Sequence, residues 1–130
     1  MPSIFSRIIK GELPSAKVHE DERTLVIMDI NPIQKGHMLV LPKTEVPSVW
    51  DLDEADYAAL MAAVRGAGRS LLKTFPGKKA GVLIEGLEIS DHAHVSVFPF
   101  STVEEFRAHP DPNNQPGPAE LKELASKLAF

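Results

Sequence analysis

Apolar residues recur along this chain in two periods. Ile4, Phe5, Ile8 and Ile9 fall at helical spacing, with Ser3 placed to cap the turn and Gly11 to end it, which predicts a short opening helix. After Pro14 the pattern changes. Residues 16–20 and 24–30 are rich in Val, Ile and Leu, and the polar Asp21-Glu22-Arg23 between them suits a hairpin turn. Pro32 and Gly36 bracket a loop before residues 37–42, a third strand. Residues 54–75 return to the helical period through Leu60, Met61, Val64, Leu71 and Leu72, with Asp51 or Asp53 as cap and Pro76-Gly77 as stop. Residues 79–84 and 92–98 read as two more strands joined by a glycine-containing loop, and Pro99 closes the second. Short helix, three strands, long helix and two strands make an α+β pattern on a largely antiparallel sheet.

Beyond Phe100 the composition shifts. The run His109-Pro-Asp-Pro-Asn-Asn-Gln-Pro-Gly-Pro118 suits a turn or linker and excludes a regular element, and residues 119–128 are able to form a terminal helix. Residues 1–108 are therefore expected to form the folded domain, with 109–130 as a Pro/Asn-rich tail. A chain of 130 residues with 43% hydrophobic content can enclose one core without staples. Its net charge of −4 offers no general basic field for nucleic acid. The absence of cysteine excludes disulfides, thiolate chemistry and cysteine-based zinc sites. Arg7 and Lys10 interrupt the apolar N-terminus, and no stretch approaches the roughly 20 residues of a membrane span. A soluble, cytoplasmic protein is expected, with no membrane association.

Candidate chemistry concentrates in His92-Ala-His94-Val-Ser96-Val-Phe98-Pro99. On a strand, His92, His94 and Ser96 project from one face while Ala93, Val95 and Val97 project from the other. Neutral imidazole is a competent nucleophile toward phosphorus and a general base near neutral pH. The same pattern also suits two surface histidines on an edge strand. Metal chelation is a third reading, but Glu88 and Asp91 are the only obvious further ligands nearby. His19 and His109 read as surface residues.

The pattern does not stand alone. Residues 92–98 resemble the H-φ-H-φ-H-φ-φ signature of the histidine-triad (HIT) family, where φ is apolar. Residues 3–14 resemble its opening helix, Asp29-Ile-Asn-Pro32 its D-I-x-P block, and Gly36-His-Met-Leu-Val-Leu-Pro-Lys43 its G-H-x-L-V-x-P-K block. The resemblance runs from about Ser3 to Phe100. It implies a homodimer in which each subunit contributes a five-stranded antiparallel sheet to a ten-stranded whole. It also implies a purine nucleotide, or a conjugate of one, held between the opening helix and the sheet, and no cofactor. On that reading Ile4, Phe5 and Ile8 line the base cleft and Asp29 accepts from the ribose hydroxyls. For the three apolar residues ordinary core is the alternative, and for Asp29 a turn carboxylate before Asn31-Pro32. His94 matches the nucleophile that attacks the α-phosphorus, His92 positions it, and His37 supports it from the neighbouring strand.

The sequence departs from the family pattern at three places. Ser96 stands where a hydrolytic member carries its third histidine; it can donate a hydrogen bond but carries no exchangeable charge at neutral pH. Glu85-Gly-Leu-Glu-Ile-Ser-Asp91 replaces a longer N-x-G-x-x-A-G-Q loop, which leaves Ser90 to supply a phosphate donor and sets Asp91 beside His92. Some members also hold structural zinc through a C-x-x-C pair and a histidine. The matching positions here are Ser3, Ser6 and Glu45, so no metal is expected. Three functions follow: a nucleotide hydrolase or nucleotidyl transferase acting on phosphoramidates or dinucleoside polyphosphates, a nucleotide-binding module with little turnover, or an interaction protein working through its surface or tail.

Overall fold

A computed structural model describes residues 2–85 and 91–130. The chain opens with α1 (Ile4–Ile9), capped by the Ser3 hydroxyl, which accepts the Ser6 N–H at 2.9 Å. The strands follow as β1 (Lys17–Glu20), β2 (Thr24–Met28) and β3 (Met38–Pro42), then α2 (Glu54–Thr74), β4 (Lys79–Leu83) and β5 (Val95–Phe100). Two further helices, α3 (Val103–Phe106) and α4 (Pro118–Leu128), complete the described chain. The sheet runs β1-β2-β3-β5-β4 with every neighbouring pair antiparallel. The five-stranded antiparallel sheet expected from the sequence is thus present. β5 lies inside it because α2 carries the chain from β3 across one face to the outer edge, where β4 forms before β5 returns alongside β3.

Alternation assigns the two faces. Val26, Met28, Met38, Val40, Val95 and Val97 point into one core, where they meet Leu60, Ala63, Val64, Ala67 and Leu71 of α2. Those α2 positions share one helical stripe, and Asp53 starts the helix by accepting the Asp56 N–H at 2.8 Å. Leu121, Leu124, Ala125 and Leu128 of α4 are buried in the same core, with Pro118 at the first helical position. Leu25, Ile27, Leu39 and Leu41 form the opposite face, packed on Phe5 and bordered by Ile8 and Ile9. Six-residue α1 covers only part of that face; the rest is the floor of a cleft.

Where elements differ from the sequence pattern, local bonds explain the shift. β2 stops at Met28 rather than residue 30, because Asp29 Oδ1 accepts the Asn31 N–H and turns the chain before Pro32. β5 begins at Val95, since the Ala93 N–H donates to the Val46 carbonyl rather than to a strand neighbour. It runs on to Phe100 through Pro99. β3 pairs with β5 only at Val95, Ser96 and Val97, which leaves β4 as the single neighbour of Pro99. The 3₁₀ turn Val49–Asp51 and α3 were not expected. α3 nonetheless has a sequence signal in Thr102-Val-Glu-Glu105, and Thr102 Oγ1 accepts the Glu105 N–H at 3.1 Å. No described helix is long and apolar enough to cross a membrane.

Candidate active site

The uncovered part of the α1 face is a cleft of about 790 Å³. Ile4, Phe5 and Ile8 of α1 form one wall, Ile27, Leu39, His94 and Ser96 the floor, and Asp29 and His37 one end. The cleft therefore gathers seven of the nine site residues expected from the sequence. His92 lies behind it, and Ser90 falls outside the described residues. The expected alternation holds through the lead-in to β5, with His94 and Ser96 on the cleft side and Ala93, Val95 and Val97 in the α2 core. The two histidines themselves precede the strand.

His94 is held in one tautomer. Its Nδ1 lies 3.0 Å from the His92 carbonyl, which can only accept, so Nδ1 carries the proton and Nε2 keeps its lone pair. The Phe5 ring meets the imidazole edge-on at a centroid distance of 5.2 Å, which fixes the ring plane against α1. Nε2 makes no hydrogen bond among the described residues, and the side chain opens only into the cleft. The result is a nearly buried imidazole with its lone pair available there.

His92 is fully buried and both of its ring nitrogens are engaged. Nε2 donates to the Pro42 carbonyl at 2.8 Å, so Nδ1 is the acceptor and takes the Ser3 hydroxyl at 2.8 Å. Its backbone carbonyl is the group that fixes His94. His92 is thus a strut between the end of β3, the cap of α1 and the imidazole of His94.

Ser3, Ser6 and Glu45 complete that strut. The Ser3 N–H and the Ser6 hydroxyl both donate to Glu45 Oε1, at 2.6 and 2.7 Å. These bonds, the Ser3 backbone donor foremost, hold the Glu45 carboxyl at a pKa of about 2, well below the usual range. The positions that hold zinc in some family members do converge here with His92. Two hydroxyls, a carboxylate already accepting two hydrogen bonds and an imidazole with both nitrogens used do not fit zinc. The hydrogen bonds tie α1 to His92 directly.

His37 stands at the entry to β3, after Gly36, whose φ of +97° suits glycine and whose position leaves no room for a side chain beside Phe75. Its Nδ1 accepts the Ile33 N–H at 3.0 Å, and its ring packs at 5.3 Å from Phe98. Burial, with a smaller contribution from His94, pushes its pKa down to about 4. Nε2 lies 3.4 Å from Asp29 Oδ2 without forming a hydrogen bond, so burial outweighs that attraction and His37 stays neutral. Asp29 serves the turn through Oδ1, as the simpler reading required, and also lines the cleft.

The far wall was missed by sequence reasoning. Phe106, Arg107, Ala108, His109 and Pro110 also line the cleft, as do Glu85 and Leu83. Phe106 is anchored by Phe98 and Phe100, at ring distances of 5.3 and 5.0 Å. Proline-rich composition marks a turn but not where the turn folds back. The available signal was Phe106, an aromatic in an otherwise polar segment.

The HIT domain profile matches residues 10–103, and the chain belongs to the HIT domain family. It is 31% identical to the protein hit of Bacillus subtilis, over 97% of this chain and 91% of that one. It is 28% identical to the adenosine 5'-monophosphoramidase hnt1 of Schizosaccharomyces pombe, over 99% and 97% of the two chains. The adenylylsulfatase HINT3 of Arabidopsis thaliana is also 28% identical, over 74% of this chain and 51% of that longer relative. Among solved structures, a Hit-like protein involved in cell-cycle regulation from Bartonella henselae superposes with a TM-score of 0.80 at 27% identity, covering 97% and 93% of the chains. A zinc-bound histidine triad family protein from Mycobacterium smegmatis gives 0.79 at 25% identity, covering 98% and 91%.

Proposed function

We propose that this chain is a cytoplasmic nucleotidyl hydrolase or transferase that cleaves a purine nucleotidyl conjugate at its α-phosphorus through His94. The observation that carries the reading is the His94 imidazole, with Nδ1 tied to the His92 carbonyl and its Nε2 lone pair left to a cleft walled by Ile4, Phe5 and Ile8. An apolar slot beside a fixed nucleophile suits a nucleobase with its phosphate over the imidazole. Asp29 sits where ribose hydroxyls can donate to it, Ser96 donates to a phosphoryl oxygen, Ser90 supplies a further donor, and neutral His37 supports the floor. The nucleophile comes from the chain, so the reaction requires no cofactor.

The same reading makes the protein a homodimer built through the open edge of β4. That edge strand exposes Val82, and Ile84 just after it and Leu72 of α2 are further exposed apolar residues. Ser96 favours one alternative, a nucleotide-binding module with little turnover, because a serine beside the nucleophile transfers no proton at neutral pH.

The test is incubation with an adenosine 5′-phosphate ester carrying a reporter leaving group, followed by intact mass. An adenylyl adduct or turnover that vanishes in His94→Ala is the expected result. Tight binding of AMP with neither signal overturns the enzyme reading and leaves the binding module.

A further inference from the structure

We infer that Arg107 is the phosphate-binding residue of this cleft, the positive charge that holds the α-phosphoryl group over His94 and makes the site select a nucleotide over its uncharged nucleoside. Arg107 takes this role only if the cleft is the nucleotidyl site proposed above, and it comes from outside the histidine motif. Asp29 and Glu85 line the cleft with carboxyl groups, and Arg107 is the single Lys or Arg that lines it among the described residues. The sequence of residues 86–90, Gly-Leu-Glu-Ile-Ser, adds no cation. Carboxyl oxygens on the walls repel a phosphate, so one held here needs a cation beside it, and the hydroxyls of Ser90 and Ser96 carry no charge. An imidazole such as that of His109 is positive only when protonated. A guanidinium is positive at every working pH and offers a fork of donors that matches phosphoryl oxygens.

Packing brings Arg107 to the phosphoryl end. From the lead-in through β5, His94, Ser96, Phe98 and Phe100 alternate with the core valines Val95 and Val97 and so share the cleft face. Successive members of that row are about 7 Å apart. On β4, Leu83 pairs with Ser96 and Gly81 with Phe98, so the cleft floor passes directly into a gap left by a glycine. Phe106 fills the gap. A Cβ on Gly81 would lie 2.6 Å from its Cε2, and its ring meets those of Phe98 and Phe100 at 5.3 and 5.0 Å. Phe106 is therefore seated one step beyond Ser96, and the next residue in the chain is Arg107.

The backbone of Arg107 is fixed while its head is uncommitted. Its N–H caps α3 by donating to the Val103 carbonyl at 2.9 Å. Its side chain is exposed and makes no hydrogen bond or ion pair among the described residues, so none of their carboxylates competes for it. That combination suits capture of an anion entering an open cleft. The same charge faces the phosphoryl oxygens while His94 attacks, where a preorganised cation lowers the barrier.

The experiment measures AMP and adenosine binding by calorimetry in the full chain, wild type and Arg107→Gln, at low and at physiological salt. Arg107→Gln should weaken AMP by about tenfold or more, the scale of one lost charge-assisted hydrogen bond, and leave adenosine within about twofold. Added salt should erode AMP affinity in the wild type and less so in the variant, and Arg107→Lys, which keeps the charge but not the fork, should recover part of the loss. Gly81→Ala, which pushes Phe106 off its seat, should reproduce the AMP-specific loss, and Phe106→Ala makes the same test should the glycine variant fail to fold. Equal losses of AMP and adenosine in Arg107→Gln, or no loss of either, overturn the inference; a His94-dependent adenylyl adduct that persists in that variant then leaves the nucleotidyl reading standing. Unchanged AMP affinity in the seat variants overturns the placement of Arg107 by Phe106. If the wild type binds neither AMP nor adenosine, the nucleotidyl reading falls and this inference with it.

Discussion

The two faces of β5 are both buried, yet they are held by different forces. Val95 and Val97 point into the core under α2 and α4, where the neighbours are apolar and no particular atom is required of any of them. His94 and Ser96 point to the other side, where His94 is fixed by one bond to the His92 carbonyl and one edge contact with Phe5. The apolar face tolerates changes that conserve volume and loses stability when volume is removed. The polar face depends on individual atoms, so it can lose function at nearly constant stability.

Two substitutions of comparable size separate these faces most sharply. His94→Ala should reduce adduct formation and turnover by at least about 1,000-fold, because among the described residues His94 is the one imidazole on the cleft floor, His37 and His109 lying at its end and far wall. Its melting temperature should stay close to that of the wild type. Leu60→Ala, on the α2 side, should do the reverse, costing about 2–5 kcal/mol in denaturant unfolding while leaving turnover per folded molecule intact. Loss of activity in both, at full folding, would mean that the sheet transmits packing to the nucleophile and that the faces are not independent.

His37 tests the polar face by pH. Its imidazole is buried neutral with a pKa of about 4, against about 6.5 in an unfolded chain. As pH falls below about 6.5 the unfolded state takes up a proton that the folded state refuses until about 4. Stability should therefore decline across that window by up to about 3 kcal/mol, and no further from this group below it. Equilibrium unfolding at pH 7 and pH 4 measures the difference, which should shrink in His37→Asn. An undiminished slope in the variant would assign the acid sensitivity to other groups.

The same contrast explains what was legible in the sequence. Apolar patterning located the strands and the long helix, and alternation the core side of β5, since each depends on many residues agreeing. The polar part of the floor and one end of the cleft, with His92 behind them, were legible because His37, Asp29, His92, His94 and Ser96 lie in short motifs at fixed spacing. The far wall was not, because Arg107 and His109 reach the cleft only through the packing of Phe106 on Phe98 and Phe100, a contact between segments with no periodic signal. The strand limits shifted for a similar reason. The bond from Ala93 N–H to the Val46 carbonyl that delays β5 joins residues far apart in sequence.

Ser3 carries the smallest predicted effect and the finest distinction. Its hydroxyl does two things at once: it caps α1 by accepting the Ser6 N–H, and it donates to His92 Nδ1. Removing it in Ser3→Ala should cost about 1 kcal/mol as a lost cap. A cap alone would lower stability and leave kinetics untouched. The strut predicts more, because His92 Nδ1 would lose its donor and the carbonyl that orders His94 would be held less firmly. The expected signature is a several-fold drop in kcat with little change in KM, restored by Ser3→Thr, which keeps both the cap and the hydroxyl proton. Glu45→Gln serves as the comparison. It weakens the anchor of Ser3 and Ser6 while leaving the Ser3 hydroxyl in place, so it should move stability more than kcat. If Ser3→Ala and Glu45→Gln change kcat equally, the tie acts on α1 and the cleft wall rather than through His92.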